Sequence, residues 1–379
     1  MKKVLLLGAS GSIGTQTIDI INENLDFFDL VGFSVGNNDQ IINDLIIAHP
    51  NVNYVYLISD IKRKHYQMKY PGINFYSGKK GLRKLIKNCD FDICVDALVG
   101  FVGLEPAYLT LKKNKILCLA NKEALVSGGE LINDLLNKGY GKLYPIDSEH
   151  VALAKCLSTV DKKNVDKLVI TASGGALRNV PIEKLNDATP EDALNHPNWK
   201  MGNKITIDCA TMMNKGFEII EAYYLFHYPL EKIEVLMHDE SLVHSLVKLN
   251  DGSFVLDYVK PDMHGPIEYA LFEGKNKFNT LRVNKLDELK DCHFHIYDKN
   301  RYPMCELAKK CLSLGASKMI ALNAANEVAV NRFLKHEIHY NEIYDIVNEV
   351  VNKTRLVKKP SLLKTKLINK IARKEAEKC

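Results

Sequence analysis

Between Val4 and about Ile146, short apolar, β-rich runs alternate with stretches whose apolar residues recur every three or four positions. The runs are VLLLG, LVGFSV, YVYLI, DICVDALVG, KILCLA and KLYPID. Unbroken apolar strands between amphipathic helices are the pattern of βαβ units, because a strand covered on both faces needs no polar side. The alternation predicts a parallel sheet with helices on both faces and ligands at the carboxyl ends of its strands. From about Asp147 to Phe272 strands and helices are mixed, and LVKLNDGSFVLDYV predicts a hairpin turning at Asn250, Asp251 and Gly252. Residues from about Glu273 to Asn300 are polar and weakly periodic, and helical periods then cover 303–315, 318–337, 341–356 and 361–377. The expected class is α/β. A Rossmann-like domain spans 1–146, a central α+β domain 147–272, a linker 273–300 and a helical domain 301–379.

One stretch breaks the simple pattern. IDCATMMNKGFEIIEAYYLF, Ile207 to Phe226, reads as a single helix that should be buried, yet Asn214, Lys215 and Glu218 interrupt its middle. At about 100° per residue Asn214 and Glu218 share a face, with Lys215 beside them. A partly solvated amphipathic helix is one reading; a polar patch turned inward is the other.

Composition narrows the function classes. A chain of 379 residues exceeds what one core usually supports, so two or three domains are expected. No uninterrupted apolar run reaches membrane-spanning length. A net charge of +5 is too mild to imply nucleic acid but does not oppose an anionic ligand. Nine cysteines without a CxxC pair suit a reducing compartment. The opening KKVLLLGASG runs straight into a strand and a glycine turn, leaving no room for a signal or transit peptide, so a protein that is cytoplasmic or already processed is expected.

VLLLGASGSIG places Gly8, Gly11 and Gly14 between the first strand and a helix from Ser12 to Ile21. Glycines permit the tight turn, and the helix amino terminus offers N–H groups to a pyrophosphate, so this context predicts dinucleotide binding. The second strand ends in Gly36, Asn37 and Asn38 rather than the acid that holds an NAD ribose, which favours NADP.

YPIDSEH offers Asp147 and Glu149 on one side of an extended chain, or equally a helix cap at Asp147 or Ser148. With Glu218 added, the oxygen-only set suits Mg²⁺ or Mn²⁺. ITASGGALR supplies Ser173, Gly174 and Gly175, a small-residue turn able to meet an anion. HPNWKMG places His196, Trp199 and Met201 in a loop that is either a lid or anchored by its Trp. CHFH, Cys292 to His295, carries soft-metal ligands without a fourth-ligand pattern, and the lysine-rich terminus reads as a solvated helix face.

Taken together, GASGSIG, LANKEALVSGG, PIDSEHVAL, TASGGALR, HPNWKMG, ATMMNKGFEIIEA, KPDMHGPI and ALNAANEVAV closely resemble the 1-deoxy-D-xylulose 5-phosphate reductoisomerase family of the non-mevalonate isoprenoid pathway. The resemblance implies a homodimer that isomerises and reduces a phosphosugar with NADPH and a divalent metal. It further implies Asp147, Glu149 and Glu218 as metal ligands. Lys122, Ser148, Glu149, Ser173, His196, Asn214 and Lys215 would contact substrate, with Ser173, Asn214 and Lys215 around its phosphate. Ser10, Gly11, Ser12 and Ile13 match the cofactor phosphate turn, Gly36, Asn37 and Asn38 the 2′-phosphate turn, and Asn121, Glu123 and Gly202 the nicotinamide half. Trp199 and Met201 would belong to a closing flap.

Two residues depart from the family pattern. Asn37 stands where a basic residue is often found, and Cys209 replaces a serine of the phosphate set; a thiol is the weaker donor. Two rivals share much of this pattern. Another NADP-dependent dehydrogenase of a phosphorylated carbonyl compound is one, and a non-catalytic NADP-binding regulator, with no need of three carboxylates, is the other.

Overall fold

The computed structural model describes residues 1–36, 38–275 and 289–379. Two compact units make up the chain: Met1–Ala124, Ile132–Asp147 and Met263–Arg282 in one, and Leu125–Leu131, Ser148–Asp262 and Val283–Cys379 in the other. This cut differs from the sequence boundaries at 146, 272 and 300. The helix His264–Leu271 belongs to the first unit because Ile267, Ala270 and Leu271 are buried in the same cluster as Val4 and Leu6.

In the first unit, β1 (Lys2–Leu7), β2 (Phe28–Val35), β3 (Tyr54–Leu57), β4 (Asn74–Tyr76), β5 (Ile93–Asp96), β6 (Ile116–Leu119) and β7 (Lys142–Pro145) form one sheet. Their order is β4-β3-β2-β1-β5-β6-β7, with every pair parallel. The short β4 gave no period to read, since only Phe75 of its three residues is buried. In β1, Val4 and Leu6 enter one core cluster and Leu5 and Leu7 the other, which is why the strand is apolar without alternation. Strand order reverses at β1, so the topological switch point lies at its carboxyl end, at Gly8.

The second unit holds β8 (Val165–Ala172), β9 (Ile233–Met237), β10 (Val243–Leu249) and β11 (Phe254–Tyr258) in the order β11-β10-β8-β9. The β10–β11 pair is the expected hairpin, and β8 pairs antiparallel with β10 and parallel with β9. Four helices follow at Pro303–Leu314, Ala316–Leu334, Glu342–Lys353 and Leu362–Ala376, close to their expected bounds. Where Met213–Phe226 crosses the first of these, a Cβ on Gly216 would stand 2.6 Å from that of Ala308. The small residue there permits the close crossing.

One expectation is corrected here. Ile207 to Phe226 is not one helix but parts of two, Asn203–Ala210 and Met213–Phe226, broken at Met212, whose φ of 56° is left-handed. The Met212 N–H turns back to the Cys209 carbonyl at 3.2 Å and the Met213 N–H to the Thr211 hydroxyl at 3.3 Å. No glycine or proline marks this break, so the apolar period runs through it unchanged.

Candidate active site

The first unit builds a nucleotide turn from its strand ends. Gly8 has φ +87°, and a Cβ there would lie 2.6 Å from the Ala97 carbonyl oxygen after β5. Its N–H donates to the Ser34 hydroxyl at 2.8 Å, and the Ala9 N–H to the Ser34 carbonyl at 2.8 Å, so the end of β2 pins the turn. The helix Ser12–Glu23 then starts at Gly11 with no side-chain cap. Gly11 and Ser12 are exposed, and Ser10 and Ile13 half-buried. An uncapped helix start at the switch point is what a pyrophosphate requires. Gly36 and Asn38 follow β2 as expected, while Asn37 lies outside the described residues.

Asn121 caps the helix Lys122–Asn137 through its Oδ1, which accepts from the Ala124 N–H at 2.7 Å, while its Nδ2 donates to the carbonyls of Leu98 and Gly100. Its amide therefore holds two loops together, and Glu123 beside it is buried. Lys122 reaches Asp147 at 2.6 Å, with both side chains about nine-tenths buried.

Below the same strand ends Asp96 is wholly buried, and its Oδ2 has no hydrogen-bond partner. Burial, with a smaller push from Glu123 and against the Leu98 N–H, raises its carboxyl to about 8. The folded state thus holds a proton that the unfolded chain releases near the ordinary carboxylate value, so stability falls as pH rises between the two and the cost is complete above about 8. Asp96→Asn is expected to raise Tm little near pH 5 and much more at pH 9, by the equivalent of several kcal/mol in order of magnitude. Melting curves giving one constant difference at both pH values would contradict this.

In the second unit the polar patch of Met213–Phe226 is turned inward. Asn214, Lys215 and Glu218 are 7%, 5% and 1% exposed, which removes the solvated-face reading. Lys215 Nζ sits 2.9 Å from Glu149 Oε1 and 2.6 Å from Glu218 Oε2. Burial alone would lower its pKa, but Glu149 and Glu218 outweigh that and hold it above the ordinary lysine value. Asn214 donates to Glu218 at 2.5 Å and the Ser148 hydroxyl to Glu149 at 2.5 Å. Sequence reasoning missed two supports: the Ser245 hydroxyl donating to the Glu149 carbonyl at 2.9 Å, and His150 Nε2 2.9 Å from the Glu218 carbonyl.

Asp147, the residue at which the chain passes into the second unit, contributes to the same acidic group. One carboxylate oxygen each from Asp147, Glu149 and Glu218 lies within 4.8 Å of the others. Three carboxylates with no sulfur or imidazole donor fit a hard divalent cation such as Mg²⁺ or Mn²⁺. The CHFH segment is arranged otherwise, with His293 Nδ1 2.6 Å from Glu240, and His295 in a backbone bridge to Met237.

Beside this patch, Ser173 opens the turn after β8. Gly174 and Gly175 both have positive φ, and a Cβ on Gly175 would lie 2.8 Å from the Cys209 carbonyl carbon. That contact seats the turn on the end of Asn203–Ala210, where half-buried Cys209 stands. Arg178, a further residue missed from sequence, holds the turn by donating to the Ser173 and Asp239 carbonyls at 3.1 and 3.2 Å.

His196 Nε2 lies 3.1 Å from the Ser173 hydroxyl, while its Nδ1 accepts from the Asn198 and Trp199 N–H groups. Those two donors place the imidazole proton on Nε2. Burial first, then the positive charges of Arg178 and Lys215, push its pKa down to about 4, so the ring is neutral at pH 7. Asn198 donates to the Asp239 carbonyl and Ser241 hydroxyl, and the Trp199 ring lies 5.9 Å from that of His244. Trp199 and Met201 remain half-buried and Gly202 exposed, so the loop is tied by His196 and Asn198 rather than by a Trp sunk in the core.

A Rossmann-type nucleotide turn in one unit and a lysine-bridged acidic cluster in the other define a nucleotide-dependent oxidoreductase of the α/β class. Residues 4–129 match the profile of 1-deoxy-D-xylulose 5-phosphate reductoisomerase, and 143–226 and 259–375 match two carboxyl-terminal domain profiles of that enzyme. The reductoisomerase of an Exiguobacterium species is 38% identical over 100% of this chain and 98% of its own. That of Macrococcus caseolyticus is 40% identical over 96% of each. Among solved structures, the Zymomonas mobilis enzyme in complex with NADPH superposes with a TM-score of 0.90 at 34% identity, covering 99% of this chain and 98% of its own. A reductoisomerase in complex with NADPH, fosmidomycin and magnesium gives 0.91 at 32% identity, covering 100% and 98%. The chain belongs to the 1-deoxy-D-xylulose 5-phosphate reductoisomerase family.

Proposed function

We propose that the chain isomerises 1-deoxy-D-xylulose 5-phosphate and reduces the product to 2-C-methyl-D-erythritol 4-phosphate, with NADPH and Mg²⁺ or Mn²⁺. The observation that carries this reading is the set of buried Lys215 and Glu218 with half-buried Glu149 beside the Ser173 turn, which combines hard-cation ligands with anion donors. Residues 1–146 bind the nucleotide, 147–272 carry metal, substrate and flap, and 301–379 form the helical support.

When bound, the cation supplies Lewis-acid polarisation of the substrate oxygens and the nucleotide supplies the hydride. Asp147, Glu149 and Glu218 hold the cation. Lys215, Asn214 and Ser173 anchor the phosphate, and the neutral His196 donates its Nε2 proton toward the same end of the substrate. Lys122 and Ser148 contact the sugar oxygens, and Trp199 and Met201 close over them and exclude water. Ser10, Gly11, Ser12 and Ile13 receive the pyrophosphate, with Asn121, Glu123 and Gly202 near the nicotinamide.

Among the described residues no helix is long and apolar enough to cross a membrane. Two copies forming a homodimer in the cytoplasm complete the proposal, and light scattering tests the pairing. The reading itself is tested by NADPH consumption, expected only with both deoxyxylulose phosphate and the divalent ion present. Turnover without either would favour a different dehydrogenase, and metal-independent nucleotide binding with no turnover a regulator.

Cys209→Ser replaces a weak thiol donor by a hydroxyl at the phosphate set. It is expected to lower the substrate KM several-fold, a part of the ~1.5–3 kcal/mol of a charge-assisted hydrogen bond, and to leave the NADPH KM unchanged. Steady-state kinetics showing an unchanged or raised substrate KM would remove Cys209 from that set.

A further inference from the structure

The end of β2 is where a Rossmann fold reads the adenosine ribose, and here the sequence carries a difficulty. Gly36-Asn37-Asn38 contains no cation, and the first charged residue after it, Asp39, has the wrong sign for a 2′-phosphate. The structure supplies a cation from elsewhere. Lys62, on the helix Asp60–Lys69 that follows β3, places Nζ 2.6 Å from Asp39 Oδ1. The Tyr66 hydroxyl donates to Asp39 Oδ2 at 3.3 Å and lies 3.2 Å from its carbonyl.

Asp39 is therefore held and its charge compensated at the nucleotide turn. The hydrogen bond from Lys62 keeps its carboxyl below the ordinary range. The Lys62 side chain is 49% exposed against 18% for that of Asp39, so the pair stands at the surface rather than in the core. A third feature completes the surface. Ile58, 54% exposed, has its Cδ1 4.0 Å from where a Cβ of Gly36 would stand, an aliphatic surface of the kind an adenine ring packs against.

We propose that Lys62 recognises the 2′-phosphate of the bound nucleotide, at a subsite made by Gly36, Asn38, Ile58 and the Lys62–Asp39 pair. This rests on the NADPH reading given above. Lys62 acts twice, by neutralising an acid that would repel the phosphate and by presenting a charged donor to it. An ammonium on a flexible stem can do so as a point charge, without the fixed fork of an arginine.

Calorimetric titration with NADPH, NADH and 2′,5′-ADP tests the assignment on wild type, Lys62→Ala, Lys62→Arg and Asp39→Asn, all checked for folding by thermal melting. Lys62→Ala is expected to weaken NADPH and 2′,5′-ADP by roughly tenfold or more and NADH by no more than about twofold, with Lys62→Arg restoring most of the loss. Asp39→Asn is expected to leave 2′,5′-ADP binding equal or tighter. Equal losses for NADPH and NADH in Lys62→Ala, unchanged NADPH binding, or a loss in Asp39→Asn as large as in Lys62→Ala would each overturn it. A wild-type protein that binds NADH but not NADPH would instead overturn the cofactor reading, and the assignment with it.

Discussion

Glu218→Gln is expected to lower kcat/KM for deoxyxylulose phosphate by about 10³-fold, some 4 kcal/mol of transition-state stabilisation. Glu218 is 1% exposed and is positioned from three sides, by Asn214 at 2.5 Å, Lys215 at 2.6 Å and the His150 ring on its own carbonyl. The amide keeps that shape but removes one of three negative charges from the cation cluster, so the loss should track cation affinity. Titrating Mg²⁺ or Mn²⁺ while following NADPH consumption is expected to show a half-saturation raised by one to two decades, in order of magnitude. NADPH binding, read separately by calorimetry, is expected to stay as in wild type. Near-normal activity at the wild-type metal requirement would remove Glu218 from the ligand set and leave the proposed cluster without its most buried member.

Lys215→Ala carries the second large effect, and it should appear in two separable readouts. On the proposed phosphate role, loss of the ammonium removes a charge-assisted contact to substrate and raises KM by roughly 10- to 100-fold. It also strands Glu149 and Glu218 in a buried setting, and breaking a buried pair from one side costs about 3–5 kcal/mol. The stability loss should shrink when divalent cation is added, because the ion compensates the same two carboxylates. Lys215→Arg retains the charge and is expected to recover stability more fully than KM, since the cation still compensates the two carboxylates while a longer planar fork no longer presents a point ammonium to the phosphate. Were Lys215→Ala to keep the wild-type substrate KM while losing stability, Lys215 would be a structural counter-ion only.

Much of the fold could be read from sequence because its signals are local. The continuous apolar runs of the first sheet mark strands covered on both faces, and Asn250-Asp251-Gly252 marks the turn between β10 and β11. The four closing helices also lie near their expected limits, with Ser361 capping the last of them. What escaped had no local signal. β4 is too short to show a period, and the break at Met212 has ordinary side chains on both sides. The helix His264–Leu271 is an unremarkable amphipathic segment until Ile267 and Leu271 are seen to share a core with β1's Val4 and Leu6.

The site divides in the same way. Residue chemistry was legible in the sequence alone: carboxylate oxygens at Asp147, Glu149 and Glu218, a cation at Lys215, a glycine turn at Gly8, and a missing cation at Asn37. Side-chain type and short-range spacing are enough for that. Tertiary structure alone decided which charges meet: Lys215 between Glu149 and Glu218, Lys122 on Asp147, Arg178 behind Ser173, and Lys62 on Asp39. Electrostatic energy depends on separation and burial in space, and the chain positions of Glu149 and Lys215, or of Asp39 and Lys62, contain neither quantity.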